Sequence, residues 1–459
     1  MEDFAAIRAR HIADTRRLTP EAVARLDWSG DQIQESQTQG LRKIVAYAQQ
    51  HSPYYAGLIG SLEASALDLN DLTKIPPLTK ELVMTHWDEI VTDRSVKLEQ
   101  VLEHLDSLNR GDTDNPYFHG DLYAAATGGT SGKRGVYLWD WETFAVTTNI
   151  TFRMEHQQDL REPPKGPRRT AVVCAGSYVH ASKMVFPATL DPQRETRVFP
   201  ADMPLDRMVY EMNAYQPDRL VGFASIVEEL CAMALDGALK IKLNRIAANS
   251  EPLFSEAREM AKEAWGININ DTWGSVEIGA AATEGNSYGG ASLAEDFVIF
   301  EAVDDNDQPM PQPDRAERLL CTKLYGTVMP MIRYEMTDSM TFDLQNNPDA
   351  PGCRRILEIR GRADDWFVYG KSIKIHPMVF RDVLGQERHV SEYQVQQTSG
   401  GAHVLVIAHG DLPEEQLESR LVTVLRDAGL AAPNVNVKRV ESLPRHPETN
   451  KLKRFVPLK

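Results

Sequence analysis

The amino-acid sequence predicts an α/β protein in two parts: a large N-terminal domain of mixed sheets flanked by helices over residues 1–360, and a small C-terminal α+β domain over residues 361–459. Three observations predict it. Between Thr143 and Asn270, apolar runs of strand length alternate with amphipathic stretches, the pattern of a parallel or mixed sheet covered by helices. At 459 residues the chain is too long for one small core, so two or more domains are expected. After Asp338 the composition turns rich in Pro and Asn over Gln345–Gly352, a surface loop ahead of Ile359-Arg360-Gly361-Arg362, and the tail reads as a unit of its own.

The elements follow in order. Up to about Thr92 the chain reads as helical and polar, with Pro76 and Pro77 interrupting it before Leu78-Thr79-Lys80-Glu81 opens another helix. Thr170–Ala175 is a short buried strand ending in Gly176-Ser177, and Arg219–Phe223 is a second, leading into a helix rich in Glu, Leu and Ala. A third strand, Leu243–Ala248, ends in Asn249-Ser250-Glu251-Pro252. The next helix carries Ala257, Met260, Ala261, Ala264 and Trp265 on one face and stops at Gly266, before a fourth strand, Ile267–Asn270. In sheets of this kind ligands sit beyond the carboxyl ends of strands, where Ser177, Ser250-Glu251 and Asp271-Thr272-Trp273 fall. In the tail, Val404–Ile407 is a strand, Glu414–Ala428 a helix with Leu417, Leu421, Val424, Leu425 and Ala428 on one face, and Val435–Val440 another strand. The basic segment Arg445–Lys459 follows this βαβ unit.

Composition narrows the function classes. Hydrophobic content of 42% and charged content of 25% are those of an ordinary soluble protein. A formal charge of −16 argues against a nucleic-acid binder or a partner of anionic membranes, since either needs a basic face. No run approaches the roughly 18 apolar residues of a membrane span, and Met1-Glu2-Asp3-Phe4 lacks the layout of a signal peptide, so the expected location is cytoplasmic. Cys174, Cys231, Cys321 and Cys353 form no Cys-x-x-Cys pair and no His pair stands at metal-ligand spacing, which predicts buried free thiols and no structural zinc. For oligomeric state the default expectation is a symmetric homodimer.

The segment richest in chemistry is Thr127-Gly128-Gly129-Thr130-Ser131-Gly132-Lys133-Arg134-Gly135, set between the small-residue run Ala124–Ala126 and the apolar run Val136–Trp139. Glycines let backbone N–H groups approach an anion, Thr and Ser hydroxyls add donors, and Lys133 and Arg134 add positive charge. It is not a Walker loop, because an arginine and not Ser or Thr follows Gly132-Lys133. The same composition describes a flexible surface turn, and the loop alone leaves both readings open.

Further segments, in order from about Ile75 to Lys451, resemble the acyl-adenylate-forming superfamily, specifically its phenylacetate-CoA-ligase-like branch. Asn249-Ser250-Glu251-Pro252 is similar to that family's Gly-Ala-Glu-Pro, and Trp273-Gly274-Ser275-Val276-Glu277 to its Tyr-Gly-x-[Ser/Thr]-Glu. Met329-Pro330-Met331-Ile332-Arg333-Tyr334 through Thr337-Asp338 resembles Pro-Leu-Ile-Arg-Tyr-Arg-Thr-Gly-Asp. Gly361-Arg362-Ala363-Asp364-Asp365 matches Gly-Arg-x-Asp-Asp, and Leu443-Pro444-Arg445 with Asn450-Lys451 resembles Leu-Pro-Arg…Gly-Lys. The resemblance implies ATP-dependent activation of a small aromatic carboxylic acid as acyl-AMP with release of pyrophosphate, then transfer to a nucleophile, by default coenzyme A as co-substrate. It places the β/γ-phosphates of ATP against Lys133, Thr130 and Ser131, with Thr127, Gly129 and Gly132 in the same loop, and a Mg²⁺ on Glu277. Asp338 takes the ribose hydroxyls, with Arg362 as a second ribose or phosphate contact. Trp273 offers adenine a flat face, while Ser250, Glu251, Pro252, Asp271 and Gly274 complete the nucleotide site.

Lys451, with Glu277 and Lys133 in the catalytic set, would bridge carboxylate and α-phosphate from a small domain that swings as a lid about Asp364. Lys453 remains the alternative lysine; Lys451 is chosen because Asn450 stands at the family's glycine position. Tyr178 and His180, with Gly274, are candidates for the acid pocket, although packing explains the first two equally well. Taken singly, Trp273 reads as a core aromatic, Glu277 as a solvated helix charge, and Arg362 with Asp364 and Asp365 as a surface ion cluster; their order along the chain favours the site. The pattern departs from the family at Arg134, at Met336-Thr337, and at Tyr369–Pro377, where coenzyme A ligases of this branch carry approximately Arg-Gly-Val-Asn-Val-Phe-Pro. An amine or carrier-thiol acceptor, adenylation of an oxyanion such as nitrite, and a catalytically silent nucleotide-binding relative are the competing readings.

Overall fold

The computed structural model describes residues 3–458, apart from 128–134, 164, 167, 286–288, 305, 311–312, 344–346, 363–365, 371–372, 386, 388, 409 and 447–449. The chain divides into two compact units, residues 1–336 with 340–359 and residues 337–339 with 360–459.

Two long helices begin the large unit, Phe4–Ala24 and Gly30–His51; Ser29 opens the second by accepting the Gln32 N–H while the Gln32 side chain accepts the Ser29 N–H. The central element is a ten-stranded mixed sheet. Five strands run parallel, in the order Ile269–Ser275, Arg245–Asn249, Arg219–Phe223, Arg169–Cys174 and Glu195–Pro200. Gly279–Glu284 and then Ala291–Leu293 add antiparallel on the other side, followed by Arg355–Arg362, Asp338–Asp343 and Arg315–Ala316. Helix Trp141–Arg161 is buried along its first half, and Thr283 on the sheet donates its hydroxyl to the Ile150 carbonyl at 2.9 Å.

Two expectations shift. The strand read as Ile267–Asn270 runs from Ile269 to Ser275, so Asp271, Thr272 and Trp273 lie inside it rather than beyond its end. Pairing on both sides, with Ala248 opposite Asp271 and Trp273 opposite Ala282, holds polar residues in a strand that their own propensity does not favour. Strand Glu195–Pro200 was not anticipated: it is a sheet edge with a mostly exposed pattern and no continuous apolar run. All four cysteines are free and buried, and burial pushes the thiols of Cys174, Cys231 and Cys353 up to about 12. No helix among the described residues is long and apolar enough to cross a membrane.

The small unit is built on a four-stranded sheet in the order Asn434–Arg439, Gly401–Ala408, Val390–Thr398, Phe455–Val456. Gly401–Ala408 and Asn434–Arg439 are parallel and joined by helix Glu414–Asp427, whose Leu417, Leu421 and Leu425 are buried. Phe367, Phe380, Val395, Val404 and Val406 complete a core of its own.

Candidate active site

The glycine loop connects an antiparallel hairpin, strands Leu122–Ala126 and Val136–Trp139, with Ala126 opposite Val136. Its neck is closed twice: Thr127 N–H donates to the Gly135 carbonyl at 2.9 Å, and Gly135 N–H donates to Thr127 Oγ1 at 3.0 Å. Lys80 Nζ donates to the same hydroxyl oxygen at 3.3 Å. A Cβ at Gly135 would lie 2.8 Å from the Tyr137 ring and 3.0 Å from both Lys80 Cε and Thr127 Oγ1, so this approach requires glycine. Residues 128–134, including Gly129, Thr130, Ser131, Gly132 and Lys133, lie outside the described residues.

Lys80 is a cation that sequence reasoning passed over. It opens helix Lys80–Thr85, whose N-cap Thr79 accepts the Leu82 N–H at 3.2 Å. The helix is located by Leu78, which bridges the strand around Tyr334: Leu78 N–H donates to the Arg333 carbonyl at 2.9 Å and Glu335 N–H to the Leu78 carbonyl at 3.0 Å. A lysine in the first turn runs against the helix dipole, which favours anions there, and that was the signal available in the sequence.

Glu277 sits in the turn 276–278 between strands Ile269–Ser275 and Gly279–Glu284 and is 9% exposed. Its Oε1 accepts a hydrogen bond from Tyr334 Oη at 3.2 Å, and Tyr137 Oη lies 3.2 Å from Tyr334 Oη. Burial, and then the Glu277 charge, hold the Tyr137 phenol well above its usual range, so it stays a neutral hydroxyl. Among the described residues no lysine, arginine or histidine pairs with this carboxylate. Tyr334 ends Met329–Tyr334 and Glu277 ends Trp273–Glu277, so two of the six motif segments meet here, beside Tyr137 on the strand that leaves a third.

At the end of strand Arg245–Asn249 the chain turns sharply, with Ser250 at φ +67°. Asn249 fixes the turn, its Nδ2 donating to the Gly222 carbonyl and its Oδ1 accepting from Ser250 Oγ, both at 3.0 Å. Glu251 Oε2 accepts the Ser225 N–H at 2.9 Å, in the first turn of helix Ala224–Leu235, and Pro252 is exposed. Trp273 is 8% exposed and packs 6.2 Å from the Phe300 ring. Beside it, a Cβ on Gly274 would stand 2.4 Å from the Gly279 carbonyl oxygen. Asp271 belongs to a carboxylate pair: Glu284 Oε2 accepts both Arg258 Nη2 at 2.7 Å and the Asp271 N–H at 3.1 Å, and burial together with the Glu284 charge pushes the Asp271 carboxyl up to about 7.

The loop after strand Arg169–Cys174 passes beside the hairpin neck, Ala126 N–H donating to the Val179 carbonyl at 3.0 Å. Within it the Tyr178 carbonyl accepts Tyr123 Oη at 2.8 Å, the Tyr178 ring stands edge-on to Phe4, and His180 is buried. Asp338, 6% exposed, opens strand Asp338–Asp343, and Arg362 ends strand Arg355–Arg362. Asp364 lies outside the described residues. Lys451 belongs to the small unit, where its carbonyl accepts the His446 N–H at 2.9 Å.

Comparison with known proteins follows the same direction. No protein-family profile matches the chain. Protein CapK of Staphylococcus aureus is 21% identical over 359 residues, covering 75% of this chain and 71% of CapK. The structure of a 2-hydroxyisobutyryl-CoA ligase in its postadenylation state superposes with a TM-score of 0.71 at 17% identity, over 95% of this chain and 91% of that one. An anthranilate CoA ligase in complex with anthranoyl-AMP gives 0.53 at 17% identity, over 73% and 65%. The chain has the fold of the adenylate-forming ligases.

On this fold the donor set suits a hard divalent cation. Mg²⁺ takes oxygen ligands, keeps several of its waters and is held by one or two carboxylates together with substrate phosphates. Glu277 is a buried carboxylate that receives neutral phenol donors from Tyr334 and Tyr137, the kind of oxygen ligand such a cation takes. Asp271, already committed to the Glu284 and Arg258 cluster, lacks that character.

Proposed function

We propose that this protein is an adenylate-forming enzyme: it activates a small carboxylic acid with ATP, forming acyl-AMP and releasing pyrophosphate, and then passes the acyl group to a nucleophile, with coenzyme A the default acceptor. The observation that carries the reading is the buried Glu277 carboxylate with no protein cation among the described residues, reached by Tyr334 and adjoining, through Tyr137, the hairpin whose neck Thr127 and Lys80 close. An acid is a poor electrophile, and its attack on the α-phosphorus sets an anion against a polyanion, so cations and N–H donors must spread that charge. Lys80 and the loop with Lys133 hold the phosphates, and Glu277 holds Mg²⁺. The metal's contribution is to neutralise phosphate charge in the transition state. Asp338 and Arg362 orient the ribose, Trp273 borders adenine, and Lys451 brings the cation that bridges acid and α-phosphate. The lid motion about Asp364 serves the two half-reactions in turn.

An aryl acid is the preferred substrate class, supported by the motif resemblance and by the anthranilate ligase among the similar structures. A second acceptor reading has a specific basis. Where the coenzyme A ligases of the branch carry their glycine-lined segment, this chain forms a hairpin of strands Phe367–Tyr369 and Ile373–Ile375, with Tyr369 and Ile375 buried in the small unit's core. That favours an amine or a carrier thiol. To test both steps, the protein is incubated with ATP, Mg²⁺ and a panel of aryl and short aliphatic acids, acyl-AMP is detected by mass, and coenzyme A or amines are then added. Acyl-AMP with at least one acid is expected. Absence of pyrophosphate release with every acid would leave a silent nucleotide-binding relative, and acyl-AMP that ignores coenzyme A but is consumed by an amine would select the second acceptor.

A further inference from the structure

We propose that Trp139 and Tyr325 are positioning residues that lock the turn carrying Glu277, and so set the affinity of the site for its divalent metal. The proposal rests on the reading of Glu277 as the metal carboxylate. The two peptide carbonyls flanking Glu277 are each held by a ring donor from a different part of the fold. Trp139 Nε1–H, on the strand that leaves the glycine loop, donates to the Val276 carbonyl at 2.8 Å. Tyr325 Oη–H, two residues beyond strand Leu319–Lys323, donates to the Ile278 carbonyl at 2.6 Å. Ile278 N–H is directed to Ser275 Oγ at 3.4 Å, closing the turn on itself.

Both donors are buried, Trp139 at 2% and Tyr325 at 4% exposure, so water does not substitute for them without rearrangement. Burial raises the Tyr325 phenol far above its ordinary range, and the hydroxyl keeps its proton throughout the working pH range. The end of the turn is equally constrained. Gly279 has φ +76°, and a Cβ there would meet Thr147 Oγ1 at 2.2 Å and Tyr325 Oη at 2.7 Å, so Tyr325 packs directly on the backbone that it orients. With Tyr334 holding the carboxylate itself at 3.2 Å, the acid is fixed at its oxygen and through the carbonyls of the residues before and after it. A turn on the surface of a protein ordinarily satisfies its carbonyls with water; buried ring donors on both sides of one acidic residue are what a fixed ligand requires. The hairpin strand Val136–Trp139 therefore carries the phosphate loop at one end and one arm of this lock at the other, which couples loop and metal carboxylate through one short element.

The test measures metal binding without turnover. Mn²⁺ is titrated into the full-length protein saturated with α,β-methylene-ATP, and free Mn²⁺ is read by electron paramagnetic resonance. Tyr325→Phe and Trp139→Phe are expected to weaken Mn²⁺ binding by about tenfold each, while metal-free nucleotide affinity stays within about twofold of the parent. Tyr215→Phe is the matched control, since Tyr215 Oη bonds to the Thr170 and Glu195 carbonyls elsewhere on the sheet, and its Mn²⁺ affinity should not change. Melting curves set a common temperature at which every variant is folded, and the smaller change, Tyr325→Phe, carries the test if Trp139→Phe does not fold. Parent-like Mn²⁺ affinity in the folded lock variants, with Glu277→Gln impaired, would overturn the proposal and leave the reading of Glu277 standing. Parent-like affinity in Glu277→Gln would overturn both.

Discussion

Lys80 shows how much a single side chain depends on distant sequence. Nothing local directs it toward the glycine loop; the pairing of Leu78 with the strand around Tyr334 does, and Thr127 then receives its ammonium. Lys80→Ala is expected to raise the KM for ATP by about tenfold, the value of one charge-assisted contact, with kcat for pyrophosphate release nearly unchanged. An equal fall in kcat at saturating ATP would move Lys80 from binding to the chemical step. Lys323 is a different case. It is 1% exposed, and burial outweighs the nearby Asp140 and Glu142 charges to pull its ammonium down to about 8. In the unfolded chain the same group titrates near 10.4, so between about pH 8 and pH 10.4 the unfolded state holds a proton that the folded state has lost. Stability contributed by this group therefore rises with pH through that window, and the cost of the buried charge is fully present below it. Lys323→Met should stabilise the protein by about 2 kcal/mol at pH 7 and remove the alkaline rise, as read from urea unfolding at pH 7, 8.5 and 10. An unchanged pH profile would assign the rise to other groups.

At the scale of elements, the turn between strands Ile269–Ser275 and Gly279–Glu284 is the most demanding piece of backbone in the site. The Cβ of Gly274→Ala would collide with the Gly279 carbonyl at 2.4 Å and with Ala280 Cα at 2.8 Å, backbone atoms that have no rotamer to escape into. A loss of about 3 kcal/mol is expected, against about 1 kcal/mol for Gly266→Ala, whose φ of +73° disfavours a side chain but whose Cβ would face open space. Similar losses at the two positions would mean that strand pairing relaxes around residue 274. This turn also marks where the sequence was legible. Strands with continuous apolar runs, Arg219–Phe223 and Arg169–Cys174, and the helix faces of Ser255–Trp265 and Glu414–Asp427 were read within a residue or two, because periodicity reports burial directly. Strand Ile269–Ser275 was read short and Glu195–Pro200 was missed, because the first is held by its neighbours and the second lies at an edge, where side chains carry little burial signal. In the site, the motif residues were visible as types and spacings. Lys80, Tyr137 and Tyr334 as partners were not, since only the folded chain brings residues 80, 127, 137, 277 and 334 together.

At the scale of the molecule, the chain forms two units that each have a core, and the proposed reaction draws residues from both. The large unit supplies the hairpin neck, Glu277 and the turn at Asn249; the small unit, closed around Phe367, Val395, Val404 and Leu421, contains Lys451. Lys451 is partly exposed and lies in the segment before strand Phe455–Val456, outside that core, so a melting curve of each variant separates an effect on chemistry from one on folding. If Lys451 neutralises charge that exists only while the acid attacks the α-phosphorus, its energy appears in the transition state and not in the nucleotide complex. Lys451→Ala should then lower acyl-AMP formation by more than about a hundredfold, while the affinity for ATP in the absence of acid changes by less than about threefold. Lys453→Ala, made in parallel, should retain acyl-AMP formation to within about threefold of the parent. Equal losses of binding and chemistry in Lys451→Ala would mean that the lysine only attracts nucleotide, and a larger defect in Lys453→Ala would transfer the catalytic role two residues along the chain.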